Sequence, residues 1–358
     1  MSANSTSSGD LRFRPPLAPD AALAVGLGDP AGIGPELIVA AYSALSGSSA
    51  PLAHPFFAVG GMELLREAAT ARGVDCPLIP IAEPAEAAMA WHAGLPVLAG
   101  LDVPYTPGTP SPEGARLALA SLEWTTQLAL RGDVAGIVTA PVAKAELTAI
   151  GFAHPGQTEF LSAACGRQPG DAVMMLAGPS LRTVPITVHC ALSEVPSRLT
   201  PELIIRKAVI THIALKRDFG LDSPRIAVAA LNPHAGEDGQ FGDEEARIIA
   251  PAIKALRAEG LDVTGPVPGD ALFMPRARSG YDVALCMYHD QALIPLKALE
   301  VDDGVNVTLG LPIIRTSPDH GTAFDIAGKR IADPGAMIAA IRMASACASE
   351  RASIPAHG

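Results

Sequence analysis

The amino-acid sequence predicts an α/β protein with a largely parallel sheet, organised as two domains. Apolar, β-rich runs alternate along the chain with longer Ala/Leu/Ile patterns at helical spacing, which is typical of βαβ units. The apolar runs do not alternate strictly with polar residues, as expected for strands covered on both faces. The length of 358 residues also exceeds the usual size of a single domain.

Strands and helices are predicted in chain order from these patterns. The run "AALAVGLG" precedes the helical pattern "GPELIVAAYSAL", "PFFAVGG" precedes "MELLREAATARG", and "VAGIVTAPV" precedes "KAELTAIG". Later strands are predicted in "VMMLAGP", "LRTVPITVH", "RIAVAALNPHAG" and "DVALCMYHD", and further helices at 113–131, 202–219, 243–259 and 334–347. The polar, Pro-rich residues 1–20 are predicted to form a disordered tail and not a secretory signal.

Composition excludes several classes of partner. A formal net charge of −11 disfavours a nucleic-acid surface or an anionic membrane. No run of about 18 uncharged apolar residues predicts a transmembrane helix. The five cysteines are widely spaced and form no CxxC, which predicts a reduced, cytoplasmic protein. A catalytic cysteine remains an alternative, because Cys190 and Cys286 each lie within three residues of a histidine.

Three histidines end three predicted strands. His189 follows "LRTVPITV", His234 follows "RIAVAALNP" and His289 follows "DVALCMY". In parallel α/β sheets ligands bind outside the carboxyl ends of the strands, so the three imidazoles could meet at one divalent metal ion. The alternative is that each is a hydrogen-bonded polar residue at a strand end, which is the commoner role of a single histidine.

One strand-to-helix turn is a further candidate for ligand binding. The turn "GDPAGIGPELI" carries Gly28, Gly32 and Gly34 between a strand and a helix, where the backbone could approach an anion. It is neither GxGxxG nor a Walker A loop, and a purely structural turn is the alternative.

Basic residues of the second half suggest an anion pocket, and polar residues at 157–158 are further candidates. Lys297 and Arg315 follow the His289 strand, with Asn306 between them. Gln157 and Thr158 lie at a Gly-led turn into a helix. The alternatives are solvated surface side chains for the two cations and a helix cap for the turn.

Taken together, these motifs resemble the 4-hydroxythreonine-4-phosphate dehydrogenase family of vitamin B6 biosynthesis. The resemblance rests on "GDPAGIGPE", "LNPHAGEDGQFGDEE", "GPVPGDALF", "MYHDQALIPLKAL" and "SPDHGTAFDIAGK", and covers nearly the whole chain after the tail.

The resemblance implies a two-domain α/β/α fold similar to isocitrate and isopropylmalate dehydrogenases. We expect a first domain at 21–140 plus 310–358, and a second at 141–309 with the dimer interface and the metal histidines. It also implies a homodimer with active sites in the interdomain cleft near the interface, NAD or NADP as cofactor, and one divalent ion per subunit (zinc, cobalt or magnesium) in a site built from both chains.

The implied site residues coincide with those found above. The metal ligands fall on His189, His234 and His289, and the substrate contacts on Thr158, Lys297, Asn306 and Arg315. Lys297 is also a catalytic candidate, and Asp270 and Asp290 are candidates to orient a histidine or relay a proton. The glycines of the "GDPAGIG" turn are the cofactor-binding candidates.

One residue departs from the family pattern. Gln157 stands where the family usually has a histidine, and glutamine cannot carry a proton charge. The expected reaction is oxidation with decarboxylation of 4-phosphohydroxy-L-threonine to 3-amino-2-oxopropyl phosphate. The alternatives are a dehydrogenase of phosphorylated four-carbon sugar acids, a metal-dependent hydrolase or lyase, and a non-catalytic protein that binds phosphorylated metabolites.

Overall fold

The computed structural model describes residues 21–300 and 303–353, so the tail predicted at 1–20 lies outside the described residues. The strands are β1 Leu23–Gly26, β2 Phe56–Val59, β3 Leu78–Ile81, β4 Leu95–Leu98, β5 Gly136–Thr139, β6 Val173–Ala177, β7 Arg182–Pro185, β8 Arg225–Ala229, β9 Asp262–Val267, β10 Val283–Cys286, β11 Val305–Leu309 and β12 Arg315–Pro318.

The helices are α1 Gly34–Ser46, α2 Met62–Arg72, α3 Ala87–Ala90, α4 Pro112–Arg131, α5 Lys144–Ala149, α6 Gln157–Ala164, α7 Val195–Arg198, α8 Pro201–Phe219, α9 Ala250–Ala258, α10 Gly269–Leu272, α11 Pro275–Arg278, α12 His289–Leu299 and α13 Gly335–Ser353. Short 3₁₀ turns occur at Pro84–Glu86 and Leu192–Glu194, Pro233–Gly239 forms a tight loop with non-helical backbone angles, and a π-helical turn at Glu245–Ile249 precedes α9.

The first of two compact units contains residues 21–172 and 310–353. Its strands run in the order β3-β4-β2-β1-β5-β12, and each pairing within it is parallel. The core packs Phe57 and Val59 of β2 and Ile137 of β5 against Leu122 and Leu128 of α4. Residues 141–172, expected from the sequence in the second domain, belong to this unit.

The second unit contains residues 173–300 and 303–309 among those described. Its strands run in the order β11-β6-β7-β10-β8-β9. Strand β10 pairs in parallel with β7 and β8, and β8 with β9, whereas β6 pairs antiparallel with β11 and β7. The predicted α/β class with a largely parallel sheet is therefore confirmed.

The long helices begin and end where the local sequence predicts. Ser111 accepts a hydrogen bond from Gly114 N before α4, and Thr200 accepts one from Leu203 N before α8. In both α4 and α8 a proline occupies the first position, and a glycine with left-handed backbone angles follows the last turn. The helices predicted at 113–131 and 202–219 are thus confirmed almost to the residue.

Candidate functional site

The ends of β7 and β10 bring two of the three predicted histidines together. The strands are parallel and in register, with Cys286 opposite Pro185, and their pairing continues through hydrogen bonds from Ile186 N to Cys286 O and from Thr187 N to Met287 O. The rings of His189 and His289 consequently lie 5.8 Å apart, centroid to centroid.

A cavity of about 360 Å³ opens beside these two rings and is lined by residues 187–192, Val195 and residues 288–290. Within it, His289 Nδ1 lies 2.7 Å from Asp290 Oδ1. A carboxylate in that position holds the proton on Nδ1 and leaves Nε2 as the nitrogen with a free lone pair. Asp290 is therefore placed where it could orient His289.

His234 lies in an unusual loop after β8. Residues 234–238 all have positive φ, with His234 at 53°, and His189 also has a positive φ of 44°. Left-handed backbone is uncommon for residues other than glycine and tends to cluster at functional sites. Within residues 21–300 and 303–353 no group of three His, Cys, Asp or Glu side chains is close enough to hold a metal ion.

Glu245 anchors the loop that carries His234. Its Oε1 accepts hydrogen bonds from Leu231 N at 2.9 Å and Asn232 N at 2.7 Å, and its Oε2 accepts one from Asn232 Nδ2 at 3.0 Å. Glu245 is 6% exposed. It is also the first residue of the π-helical turn, and π-helical turns are frequent at functional sites. The acidic pair in "FGDEE" was part of the family resemblance, but its role in fixing this loop was not predicted.

Gln291 is a second residue whose role was not predicted. Its Oε1 accepts a hydrogen bond from Met287 N at 2.6 Å, and its Nε2 donates one to Ala230 O at 2.7 Å. The amide therefore joins the residues that follow β10 to those that follow β8, which lead to His289 and His234. A glutamine two residues after a strand-end histidine was the only sequence signal.

The histidine pair fits a divalent ion. Two imidazoles bound to one ion at about 2.1 Å place their ring centres roughly 5 to 6 Å apart, and the observed separation of 5.8 Å agrees. Neutral imidazole nitrogens suit zinc, cobalt and related ions. His189 and His289 are the residues of this pair that would hold it, and His234 as a third ligand remains a prediction.

The guanidinium of Arg315 is held by two polar side chains of the first unit, Thr139 and Gln157. It donates from Nε and Nη2 to Thr139 Oγ1, at 3.1 and 2.9 Å, and from Nη2 to Gln157 Oε1 at 3.3 Å. Gln157 Nε2 in turn donates to Ala140 O at 3.1 Å. Arg315 is 5% exposed; this burial lowers the guanidinium pKa to about 10, an effect that Glu159 partly opposes. Gln157 and Arg315, far apart in sequence, thus meet in the structure.

The other predicted substrate and catalytic residues lie on separate elements. Thr158 is the second residue of α6, directly after Gln157. Lys297 is exposed in the last turn of α12, and Asp270 is exposed in α10. Asn306 lies on β11, where its Oδ1 is buried without a hydrogen-bond partner among the described residues. A buried acceptor left unpaired is costly, so this oxygen is available to a ligand donor.

Close packing inside the chain explains why the "GDPAGIG" turn has glycine at three positions. A Cβ on Gly28, whose φ is 69°, would lie 2.4 Å from Pro141 O, and one on Gly34 would lie 2.5 Å from Leu27 O. A Cβ on Gly32 would lie 2.8 Å from Thr322 O. These positions therefore require glycine for internal packing, and cofactor binding by the turn remains a prediction.

The cysteines divide into one that lines the cavity and others that do not. Cys190 borders the cavity beside His189, whereas Cys286 is fully buried, and burial raises the pKa of its thiol. All five thiols are free. Among the described helices, none has the length and apolar composition required to cross a bilayer.

Comparison with known proteins identifies relatives that match most of the length of this chain. The model of the family described as pyridoxal phosphate biosynthetic protein PdxA matches residues 52–344. A protein of Erythrobacter litoralis named 4-hydroxythreonine-4-phosphate dehydrogenase is 60% identical, over 93% of this chain and 98% of its own length.

Two solved structures show the same architecture. The 4-hydroxythreonine-4-phosphate dehydrogenase of Klebsiella pneumoniae is 41% identical and superposes with a TM-score of 0.80, covering 92% of this chain and 99% of its own. A terephthalate 1,2-cis-dihydrodiol dehydrogenase of Burkholderia xenovorans is 28% identical, with a TM-score of 0.63 over 91% of this chain and 98% of its own.

Proposed function

The chain belongs to the PdxA family of pyridoxal phosphate biosynthetic proteins, and from this premise we propose that it oxidises 4-phosphohydroxy-L-threonine with a nicotinamide cofactor. The oxidised β-keto acid then loses carbon dioxide to give 3-amino-2-oxopropyl phosphate. The observation that carries the proposal is the 60% identity to a relative named for this activity, over 93% of the chain.

The cationic and amide groups of the chain would bind and orient the substrate. Arg315, buried beside Thr139 and Gln157, would bind an anionic oxygen of the substrate through charge-assisted hydrogen bonds, with Lys297 as its second cation. Asn306 Oδ1, a buried acceptor, would receive a donor of the substrate. Holding the phosphate at a fixed position orients the carbon that is oxidised.

A divalent ion held by His189, His234 and His289 and a bound NAD or NADP would supply Lewis-acid polarisation of the substrate hydroxyl and a hydride acceptor. Asp290 supports this arrangement because its carboxylate beside His289 Nδ1 favours the neutral tautomer in which Nε2 carries the lone pair. Asp270 and Lys297 are the proposed groups for moving protons at the substrate. We further propose zinc, cobalt or magnesium as the ion and the "GDPAGIG" turn as part of the cofactor site.

A homodimer is part of the proposal. The described residues bring His189 and His289 together but contain no group of three ligands. A second copy that supplies the missing histidine would complete the donor set, because catalytic zinc sites have three protein ligands.

A phosphorylated four-carbon sugar acid is the second candidate substrate. The observation that favours it is Gln157, a neutral side chain that contacts Arg315 where the resembled family has a histidine. Threonate 4-phosphate and erythronate 4-phosphate lack the amine of 4-phosphohydroxy-L-threonine but keep its phosphate and carboxylate. A hydrolase or lyase would use the same histidines without forming NADH.

The test is a substrate panel. The purified protein is assayed for NADH and NADPH formation with 4-phosphohydroxy-L-threonine, threonate 4-phosphate, erythronate 4-phosphate and the cis-dihydrodiol of terephthalate. The proposal expects the highest kcat/KM for 4-phosphohydroxy-L-threonine. A higher value for a sugar acid would transfer the function to the second candidate, and the absence of reduced cofactor with every compound would refute both.

A further inference from the structure

Thr139 is the last residue of β5 and one of the most buried polar side chains of the first unit, at 2% exposed. Strands β5 and β12 are parallel, with Arg315 opposite Ile137 and Thr316 opposite Val138. Side chains two residues apart on a strand point to the same face. Arg315 therefore extends along the sheet from the level of Ile137 to the hydroxyl of Thr139.

The contact between the two side chains is geometrically specific. One hydroxyl oxygen accepts from both Nε and Nη2 of the guanidinium, at 3.1 and 2.9 Å. Because the guanidinium is planar and rigid, two bonds from adjacent nitrogens fix both its position and the direction of its plane. Gln157 Oε1 adds a third bond to Nη2 at 3.3 Å from the first turn of α6.

The acceptor oxygens that hold the guanidinium in these bonds are neutral. A threonine hydroxyl and a glutamine amide satisfy donors without themselves neutralising the positive charge, which the carboxylate of Glu159 partly offsets. A carboxylate in place of either group would compete more directly with an anionic ligand. Threonine suits the position for a second reason. Its β-branched side chain has few χ1 rotamers, so the hydroxyl is held in one direction with little entropic cost.

We propose that Thr139 is a positioning residue for substrate binding: its hydroxyl sets the orientation of the Arg315 guanidinium that binds the anionic group of the substrate. This inference rests on the proposed function, since it takes Arg315 as the anion-binding side chain. Thr139 itself does not have to touch the substrate.

The experiment compares two substitutions that differ in the hydroxyl. Thr139→Val keeps the shape of the side chain but removes the acceptor, and Thr139→Ser keeps the acceptor but removes the methyl group. The hydrogen bonds lost in Thr139→Val go to a charged group, so KM for 4-phosphohydroxy-L-threonine rises about tenfold or more. In Thr139→Ser the KM for 4-phosphohydroxy-L-threonine stays within about threefold of the value for the unsubstituted protein. The KM for the cofactor is unchanged in both variants.

A matched control separates positioning from folding. Thr125 is fully buried in α4 of the same unit, and its hydroxyl donates to carbonyls of its own helix, Ser121 O and Leu122 O. Thr125→Val is expected to change the thermal midpoint without changing KM. If Thr139→Val also shifts only the midpoint, or if Thr139→Ser raises KM as much as Thr139→Val, the inference is wrong.

Arg315→Ala distinguishes failure of the inference from failure of the proposed function. If Arg315→Ala leaves KM unchanged, Arg315 does not bind the substrate, and the proposed roles of Arg315 and of Thr139 both fail. If Arg315→Ala raises KM but Thr139→Val does not, only the inference fails. In the double variant, Thr139→Val is expected to add nothing to the KM of Arg315→Ala, because the two side chains act as one unit.

Discussion

Lys207 is a buried amine that the proposed reaction does not use. It lies on α8, is 7% exposed, and donates from Nζ to Pro185 O at 3.0 Å, at the end of the strand that leads to His189. Burial lowers the pKa of this amine from 10.5 to about 8. The folded protein therefore retains a charged, poorly solvated ammonium at neutral pH, which costs stability.

The pH dependence of stability follows from the sign of this shift. Below pH 8 the amine is protonated in both states and the full cost of burying the charge is present. Between about pH 8 and 10.5 the unfolded chain binds this proton more strongly, so the contribution of Lys207 to the free energy of unfolding rises with pH. A lowering from 10.5 to about 8 corresponds to about 3 kcal/mol over this window.

Lys207→Met is expected to abolish this rise, because methionine fills a similar volume without a titrating group. Urea denaturation at pH 7.5 and 10 measures the free energy of unfolding of each protein. The stability of Lys207→Met relative to the unsubstituted protein should increase as the pH falls, because only the unsubstituted protein then buries a charge. Lys216→Met, on the exposed face of the same helix, is the control and should not alter the pH dependence. Equal pH profiles for Lys207→Met and the unsubstituted protein would contradict the argument.

At the level of elements, Gln291 connects two strand ends that carry candidate ligands. Gln291→Met leaves Met287 N and Ala230 O without their partners and is expected to lower the free energy of unfolding by about 2 kcal/mol. Denaturant titration measures the loss. Gln240→Met, at an exposed position, should cost a few tenths of a kcal/mol at most. A similar loss in both variants would show that the two hydrogen bonds of Gln291 do not stabilise the fold.

The elements that the sequence predicted well are those with strong local signals. Helices α4 and α8 have caps, an initial proline and a terminal glycine, so their bounds follow from local chemistry. The predicted strand "LRTVPITVH" shortens to Arg182–Pro185, and His289, predicted at the end of a strand, begins α12. Helix α12 was not predicted, because Pro295 interrupts its pattern and Tyr288, its N-cap residue, has no capping side chain.

Contacts among the candidate site residues were predictable only in part, and the reason is again physical. Residue types that bind metals or anions can be listed from the sequence, and His189 with His289, and Gln157 with Arg315, do meet in the structure. Contacts made by ordinary polar residues have no such signal. The sequence predicts Thr139 only as a strand residue and assigns Gln291 no structural role. Only the fold brings the hydroxyl of Thr139 to Arg315 and the Nε2 of Gln291 to Ala230 O, partners more than 50 residues away.

At the scale of the whole molecule, the proposed homodimer makes a quantitative prediction. His189→Ala, His234→Ala and His289→Ala are each expected to lose bound zinc and activity. If one histidine comes from the second copy, two of the three pairwise co-expressed mixtures should regain about a quarter of the sites, since half of the dimers are mixed and each has one intact site. Zinc content measures the recovery. No recovery in any mixture would contradict a shared site.

The central claim is that oxidation of 4-phosphohydroxy-L-threonine depends on a divalent ion held by the three histidines. The most direct measurement is the rate of NADH formation by the full chain after removal of metal by a chelator and after return of zinc or cobalt. Metal removal should abolish NADH formation and metal return should restore it, whereas His289→Ala should stay inactive in both conditions. Undiminished turnover in the chelated protein would contradict the claim.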